Sequence, residues 1–388
     1  MKQLTYQLSF NTPAFLGNAE QNAQWRTPPF KAMLRQWWRV VKAKEFNYDH
    51  SEMRRAEMRL FGAASGSGNE GSHRSLVRLR LDRWEPGTLK DVPTGKKVCH
   101  PNVSNNRMPA CPAGQPGRMV GANLYLGFGP LGVDGLARPP AIAPKEESAQ
   151  LRIAFTSGVS DADVTDIKKA MQLAAWFGSL GSRARNGWGS LQISGENLLG
   201  LDELCDSTLA AIAPLRTLDE AMEREWPHAI GLASDGRPAV WQVYARRETI
   251  DGGPRYVGFD SWLSVMQKLA EIKIRFRTHF VLSSGEPHTT VEQRHVLSYP
   301  ITNHGLTGRK GKTMDSRLAS QLRFKVAENN KGQLFGVIVH VPCAMPKAFF
   351  KGTTALQPNK HFQADVWKQV HQCLDTQFPN SIVRIRKA

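Results

Sequence analysis

Phe177-Gly178-Ser179-Leu180-Gly181-Ser182-Arg183-Ala184-Arg185-Asn186-Gly187-Trp188-Gly189-Ser190-Leu191 is the stretch on which the reading of this chain turns. Its four glycines allow backbone turns that side chains forbid and let another chain approach the N–H groups closely. Arginine forks onto phosphate oxygens. The stretch therefore reads either as a phosphate cradle, built from Gly178, Gly181, Ser182, Arg183, Arg185, Asn186, Gly187 and Gly189, or as a long Gly-rich turn with solvated arginines. It follows an apolar helical pattern, Val164 to Phe177, and precedes a strand-like run, Trp188 to Ile193. It thus lies where a helix hands over to a strand at the edge of a sheet. No Gly-x-x-x-x-Gly-Lys-Ser/Thr occurs, which argues against a Walker-type loop. A dinucleotide fingerprint needs a strand before its glycines and a helix after them, the reverse of the order here.

Outward from this loop, Leu4, Tyr6, Leu8 and Phe10 alternate as a strand. A loop runs from Asn11 to Arg26, and Thr27-Pro28-Pro29 opens a helix. Phe30, Leu34, Trp37 and Val41 form its buried stripe. Lys31, Arg35 and Arg39 repeat on another face, with Trp38 and Lys42 alongside. A short helix is expected over 52–61 and a strand over 75–84. Residues 85–121 read as a long irregular loop, either an extended finger or a mobile insertion. Strands are expected near 122–128 and 150–155, and a helix over 161–177. The order strand, helix, strand, strand, helix, strand is ferredoxin-like. It recurs in degenerate form: strand 239–246, helix 259–277, strands near 294–300, 320–327 and 334–341, helix 359–376, strand 382–386. The expected class is α+β, two ferredoxin-like domains in tandem (1–197 and 239–388) with long loop insertions, joined by a helical connection over 198–238.

The chain has 388 residues and a formal net charge of +17. That excess points to a polyanionic partner, nucleic acid before a membrane surface. No apolar run of about 18 residues exists to span a bilayer, and the N-terminus lacks the apolar core of a signal peptide. A cytoplasmic location and no membrane partner are expected. Five scattered cysteines argue against a disulfide framework. Cys99, His100 and Cys111 lack the C-x-x-C pairs of a zinc site, so no metal and no cofactor are expected, and these two thiols should be reduced.

The helix face Lys31, Arg35, Arg39 and Lys42 can track a phosphate backbone, and Trp25 and Trp38 can stack on unpaired bases. The bland alternatives are a solvated face and core tryptophans. A second loop of small residues and cations holds Arg309, Lys310, Lys312 and Arg317. Metal-dependent RNA cleavage wants clustered carboxylates, and no pair stands at convincing spacing. The eleven histidines are scattered without partners identifiable from sequence. Asp134 is the one loop acid worth naming.

These features together resemble the RAMP superfamily of CRISPR effector subunits. Thr12-Pro13-Ala14-Phe15-Leu16-Gly17-Asn18-Ala19-Glu20, then Arg26-Thr27-Pro28-Pro29-Phe30-Lys31, then Leu34-Arg35-Gln36-Trp37-Trp38-Arg39, is similar to the opening of the first-subunit family of type III-B (Cmr) complexes. Asn18 stands where that pattern has a second glycine, and Ala32 stands where it has a glycine. The resemblance covers most of residues 1–195 and is weaker beyond. It implies RNA-recognition-type domains and a non-catalytic subunit that contacts guide RNA, target RNA or both beside other RAMP subunits. Asn18 and Arg26, inside the ordered motifs, join the residues expected to contact RNA.

Overall fold

Alternation at Leu4, Tyr6, Leu8 and Phe10 builds β1 (Gln3–Phe10) and turns these side chains into one core. The computed structural model describes residues 2–63, 73–93, 95–145, 147–250, 253–283, 287–308 and 316–387. Two prolines open α1 (Thr27–Lys42), where the missing N–H would have had no partner anyway. Asp49 caps α2 (His50–Phe61) by accepting from the N–H groups of Ser51 and Glu52. Then follow β2 (Val77–Leu81), β3 (Leu89–Asp91), β4 (Lys97–His100), β5 (Arg118–Gly121), α3 (Ala122–Gly127), β6 (Leu136–Ala141) and β7 (Ser148–Phe155). A reciprocal Ser160–Asp163 capping box starts α4 (Asp161–Phe177), and the Gly-rich loop leads into β8 (Leu191–Ser194). Four of these strands form an antiparallel sheet in the order β2–β7–β1–β8. Its inward face packs on α1 and α4, while its outward face leaves Arg78, Arg80 and Arg152 exposed.

Two expectations for this half need correction. Residues 122–127 are helical, because the short apolar run Ala-Asn-Leu-Tyr-Leu-Gly fits a buried helix as well as a strand and tertiary packing chooses. The segment 85–121 is not irregular throughout, since β3 pairs with β6 and β4 pairs with β5. The second pairing folds the segment back so that Cys99 and Cys111 are joined as a disulfide, against the expectation of reduced thiols.

The connection carries α5 (Asp206–Ala210), β9 (Leu215–Arg216), α6 (Leu218–Ala221) and β10 (Ile230–Gly231). A second series follows: β11 (Val240–Val243), β12 (Arg246–Ile250), β13 (Gly253–Val257), α7 (Trp262–His279), α8 (Gln293–Leu297), β14 (Leu322–Glu328), β15 (Leu334–His340), α9 (Lys360–Thr376) and β16 (Ile382–Arg384). Where a strand was expected near 294–300, the chain makes α8 instead. The Nδ1 of His295 accepts from the Glu292 N–H at its first turn, a local bond that favours the helix. The second sheet is antiparallel in the order β14–β15–β11–β16.

Every residue of β15 is buried. Phe335, Val337 and Val339 join the core shared with the first sheet, whereas Leu334 and Ile338 face the core under α7 and α9. A strand covered on both faces reads as a continuous apolar run, as Leu334 to Val339 does. Lys325 of β14 reaches across and donates to the carbonyls of Ala174 and Ala175 at the C-terminus of α4. A donor there adds a bond at the helix end, and when charged it complements the helix dipole. Full burial pushes this amine down to about 7.

A buried histidine makes stability depend on pH. Arg216 can only donate, so its 3.0 Å bond to His228 uses Nε2 as acceptor, and Nδ1–H donates to the Trp226 carbonyl at 2.7 Å. Burial pushes this neutral ring down to about 4. The unfolded chain titrates near its ordinary value of about 6.5. Below that pH the unfolded chain takes up a proton that the folded protein refuses. The stabilisation is therefore present above about pH 6.5 and is lost as pH falls towards 4, about 3 kcal/mol from this ring. Urea midpoints measured from pH 7 to pH 4 should fall, and His228→Gln should remove that part of the slope. An unchanged slope in the variant would refute the assignment.

Candidate nucleic-acid interface

The Gly-rich loop is pinned to the N-terminal segment before it does anything else. Thr12 Oγ1 donates to the Gly187 carbonyl at 2.7 Å and accepts from the Ser190 N–H at 2.9 Å. The N–H of Ser182 donates to the Phe15 carbonyl at 3.0 Å, and that of Gly189 to the Pro13 carbonyl at 3.0 Å. Two glycines are required by this close approach. A Cβ on Gly181 would lie 2.5 Å from the Phe15 oxygen, and one on Gly189 would lie 1.9 Å from the Leu180 oxygen, with φ at +93° and +58°.

The loop then divides. Its second half is spent on the second sheet and α7. Nη1 of Arg185 donates to the Ser320 carbonyl at 2.5 Å, and the Arg185 carbonyl accepts from the Phe324 N–H at 3.1 Å. The Asn186 amide donates to the Leu126 carbonyl at 2.9 Å and accepts from Lys273 Nζ at 2.7 Å. Gly187 faces Met266 and Leu269, and Trp188 is buried between Phe15 and Trp262. These residues form a structural strut rather than the open cradle read from the sequence. The reason is tertiary: β14 and α7 dock on them and use their polar atoms.

The first half is exposed. Gly181, Ser182 and Arg183 face solvent. Arg183 sits in the left-handed region at φ +60°, which a residue with a side chain rarely adopts. Its Nε donates to the Phe128 carbonyl at 2.8 Å, and among the described residues its terminal nitrogens have no partner. Burial, then the neighbouring Arg317, lowers its proton affinity. Arg317 is itself exposed. The structure thus brings together one arginine from each of the two basic loops, while Arg309, Lys310 and Lys312 lie outside the described residues. Beside Ser182 opens a cleft of about 330 Å³ lined by Gly17, Asn18, Gln21, Pro130 and Arg138. Asn18 closes its own turn, accepting from the Asn22 N–H at 2.8 Å, and Arg26 donates to the Gly17 carbonyl behind it. Arg26 therefore braces the cleft wall and does not present its charge to the opening.

The helix face is not the free cationic track expected. Nε of Arg35 donates to Glu57 at 2.6 Å, and Arg39 grips the same carboxylate through two bonds of 2.8 and 2.7 Å. Glu57 is buried. Lys42 pairs with Glu45 and, at 2.9 Å, with Asp166, and Lys31 donates to Ser75 at 3.2 Å. The sequence interval from α1 to Glu57 conceals these pairs, because α2 folds back to deliver the acid. Trp25 and Trp38 are no stacking platforms. Trp25 is wholly buried, stacks on Phe30 and donates Nε1–H to Glu147 at 2.9 Å. Trp38 is 1% exposed and packs edge-on to Phe61.

Sequence reasoning missed Phe128, an aromatic that is 59% exposed directly at Arg183. It also missed Arg138, whose guanidinium stands 3.8 Å from the exposed Asp134. The run Phe128-Gly129-Pro130 carries a turn signal, but nothing in it tells that the aromatic faces outward. Among the described residues, no group of three or more His, Cys, Asp or Glu side chains is placed to hold a metal ion, and no helix is long and apolar enough to cross a membrane.

Comparison with known proteins gives three kinds of result. Residues 7–192 match the family model described as the RAMP superfamily. No curated protein sequence matches the chain. Among solved structures the chain is similar to apo Cmr1 from Pyrococcus furiosus, at 14% identity over 100% of this chain and 99% of that one, with a TM-score of 0.45. It is similar to a chain of the type III-B Cmr-beta complex bound to cognate target RNA, at 11% identity over 96% of this chain and 100% of that one, with a TM-score of 0.43. A chain of a type IV-B CRISPR complex aligns at 13% identity over 51% of this chain and 93% of that one, with a TM-score of 0.27.

Proposed function

We propose, from the premise that residues 7–192 belong to the RAMP superfamily, that this chain is a non-catalytic RNA-binding subunit of a type III-B CRISPR ribonucleoprotein. It holds guide RNA, target RNA or both, next to other RAMP subunits in the cytoplasm. Both sheets are read as ferredoxin-like, since each runs second strand, third, first, fourth with every pair antiparallel. The observation that carries the function is Arg183. It is exposed, held in a left-handed turn by its bond to Phe128, unpaired with any described acid, and adjacent to Arg317. Such a group is set for a phosphate oxygen, and Phe128 beside it offers an aromatic face to a base. The protein reads backbone and shape, while pairing between guide and target reads sequence.

Binding of a labelled single-stranded RNA to the purified chain across a salt series tests this. Log affinity should fall linearly with log salt, by roughly 0.7 per phosphate contacted, and the RNA should stay intact on a gel. A flat salt response would remove the reading. Discrete fragments would replace the non-catalytic part with a RAMP-type endoribonuclease, and Asp134 would then be the first residue to substitute.

A further inference from the structure

One group of cations in the second half has no acid paired with it among the described residues. Lys273 and Arg277 stand one turn apart on α7, and Arg294 stands on α8. Lys273 spends one bond on Asn186 and lies 6.0 Å over the Tyr125 ring. Nη1 of Arg277 donates to Ser298 at 3.3 Å. The Nε–H groups of both Arg277 and Arg294 are buried without a partner. No ion pair joins any of the three to a carboxylate among the described residues: Glu271 is taken by Lys268, and Glu292, beside Arg294, is taken by Ser283 and His288. The tip of β4 closes the group with His100, edge-on to Tyr125 at 5.5 Å.

Three half-buried cations drawn together without counter-charge carry a desolvation cost that nothing among the described residues offsets. Burial and then mutual repulsion lower the proton affinity of Arg294 beside Arg277 and, more strongly, that of Lys273, on which Arg277 and Arg183 both act. An anion supplies the missing charge and accepts the orphaned Nε–H groups. Asn186 ties Lys273 to the Gly-rich loop three residues from Arg183, so the group adjoins that loop.

We propose that Lys273, Arg277 and Arg294 form a second phosphate subsite, which takes a phosphodiester of the same RNA strand that Arg183 holds. This rests on the RNA-binding reading above and extends it from an exposed contact to a partly enclosed one. The enclosed subsite contributes more affinity per phosphate, because the charges it presents are already stripped of water.

The test compares the full chain with an Arg277→Met/Arg294→Met variant in two measurements. In the first, affinity for a single-stranded RNA across a salt series should drop about 10-fold or more, and the salt slope should shrink by roughly 0.7 for each phosphate the variant no longer holds. In the second, thermal unfolding without RNA should leave the variant as stable as the parent or more so, since it removes repulsion. Arg277→Lys should keep most of the affinity. A variant that melts lower and binds RNA with unchanged slope would overturn the proposal and make both arginines structural. If the parent chain binds no RNA, inorganic pyrophosphate separates the two failures. Thermal protection of the parent but not the variant keeps a phosphate subsite while removing RNA as its ligand, and no protection of either removes the subsite.

Discussion

Charge reversal at two positions, Arg183→Glu with Arg317→Glu, is expected to weaken binding of single-stranded RNA by about two orders of magnitude at low salt. Each change removes a charge-assisted bond to phosphate and adds a repulsion. Neither side chain supports the core. Among the described residues Arg183 bonds only to the Phe128 carbonyl, and Arg317 is exposed, so the variant should unfold at nearly the parental urea midpoint. Fluorescence anisotropy with a labelled RNA measures the first effect and a denaturation curve the second. Parental affinity in the folded variant would take the interface away from the Gly-rich loop. The reversal should also flatten the salt response, because fewer counterions are released.

Glu57→Ala is expected to destabilise the protein by about 3–5 kcal/mol, the usual cost of removing one partner from a buried ion pair. Its carboxylate accepts three N–H bonds from Arg35 and Arg39, and both guanidinium groups would be left half-buried and uncompensated. The consequence reaches the interpretation of basic-face mutants. Arg35→Glu or Arg39→Glu would set a second carboxylate against Glu57 and abolish RNA binding by unfolding the chain, not by removing a cation from the phosphate backbone. The comparison that separates these is Glu57→Ala measured where it is still folded. Its RNA affinity should not fall, because two cations have been released and none removed. A loss of RNA affinity in the folded variant would restore the helix face as part of the interface.

The element order was legible because periodicity is a local property. Helix α4 covers the expected 161–177, and β1, β7, β14, β15, α9 and β16 fall within a few residues of their expected bounds. Two of the misread segments, 122–127 and 293–297, are short, and a run of five or six residues does not separate a strand from a helix turn. The site was less legible. Arg183 and Arg317 could be named as basic residues of the expected interface, yet so could Arg185 and Lys42, which the fold consumes as a strut and an ion pair. Nothing in the sequence singles out Lys273, Arg277 and Arg294, since their partial burial becomes visible only when α7, α8 and β4 meet.

The sequence by itself determined the period of most elements, the order in which they follow and the excess of positive charge. All of these depend on neighbours along the chain. Tertiary structure alone decided which cations stay free. Glu57 cancels Arg35 and Arg39 from a different helix, Lys325 is drawn to the end of α4 from the other sheet, and the Cys99–Cys111 pair depends on β4 meeting β5. A charge is available to a ligand only when nothing in the folded chain has already compensated it. That compensation acts across space between residues the sequence keeps far apart.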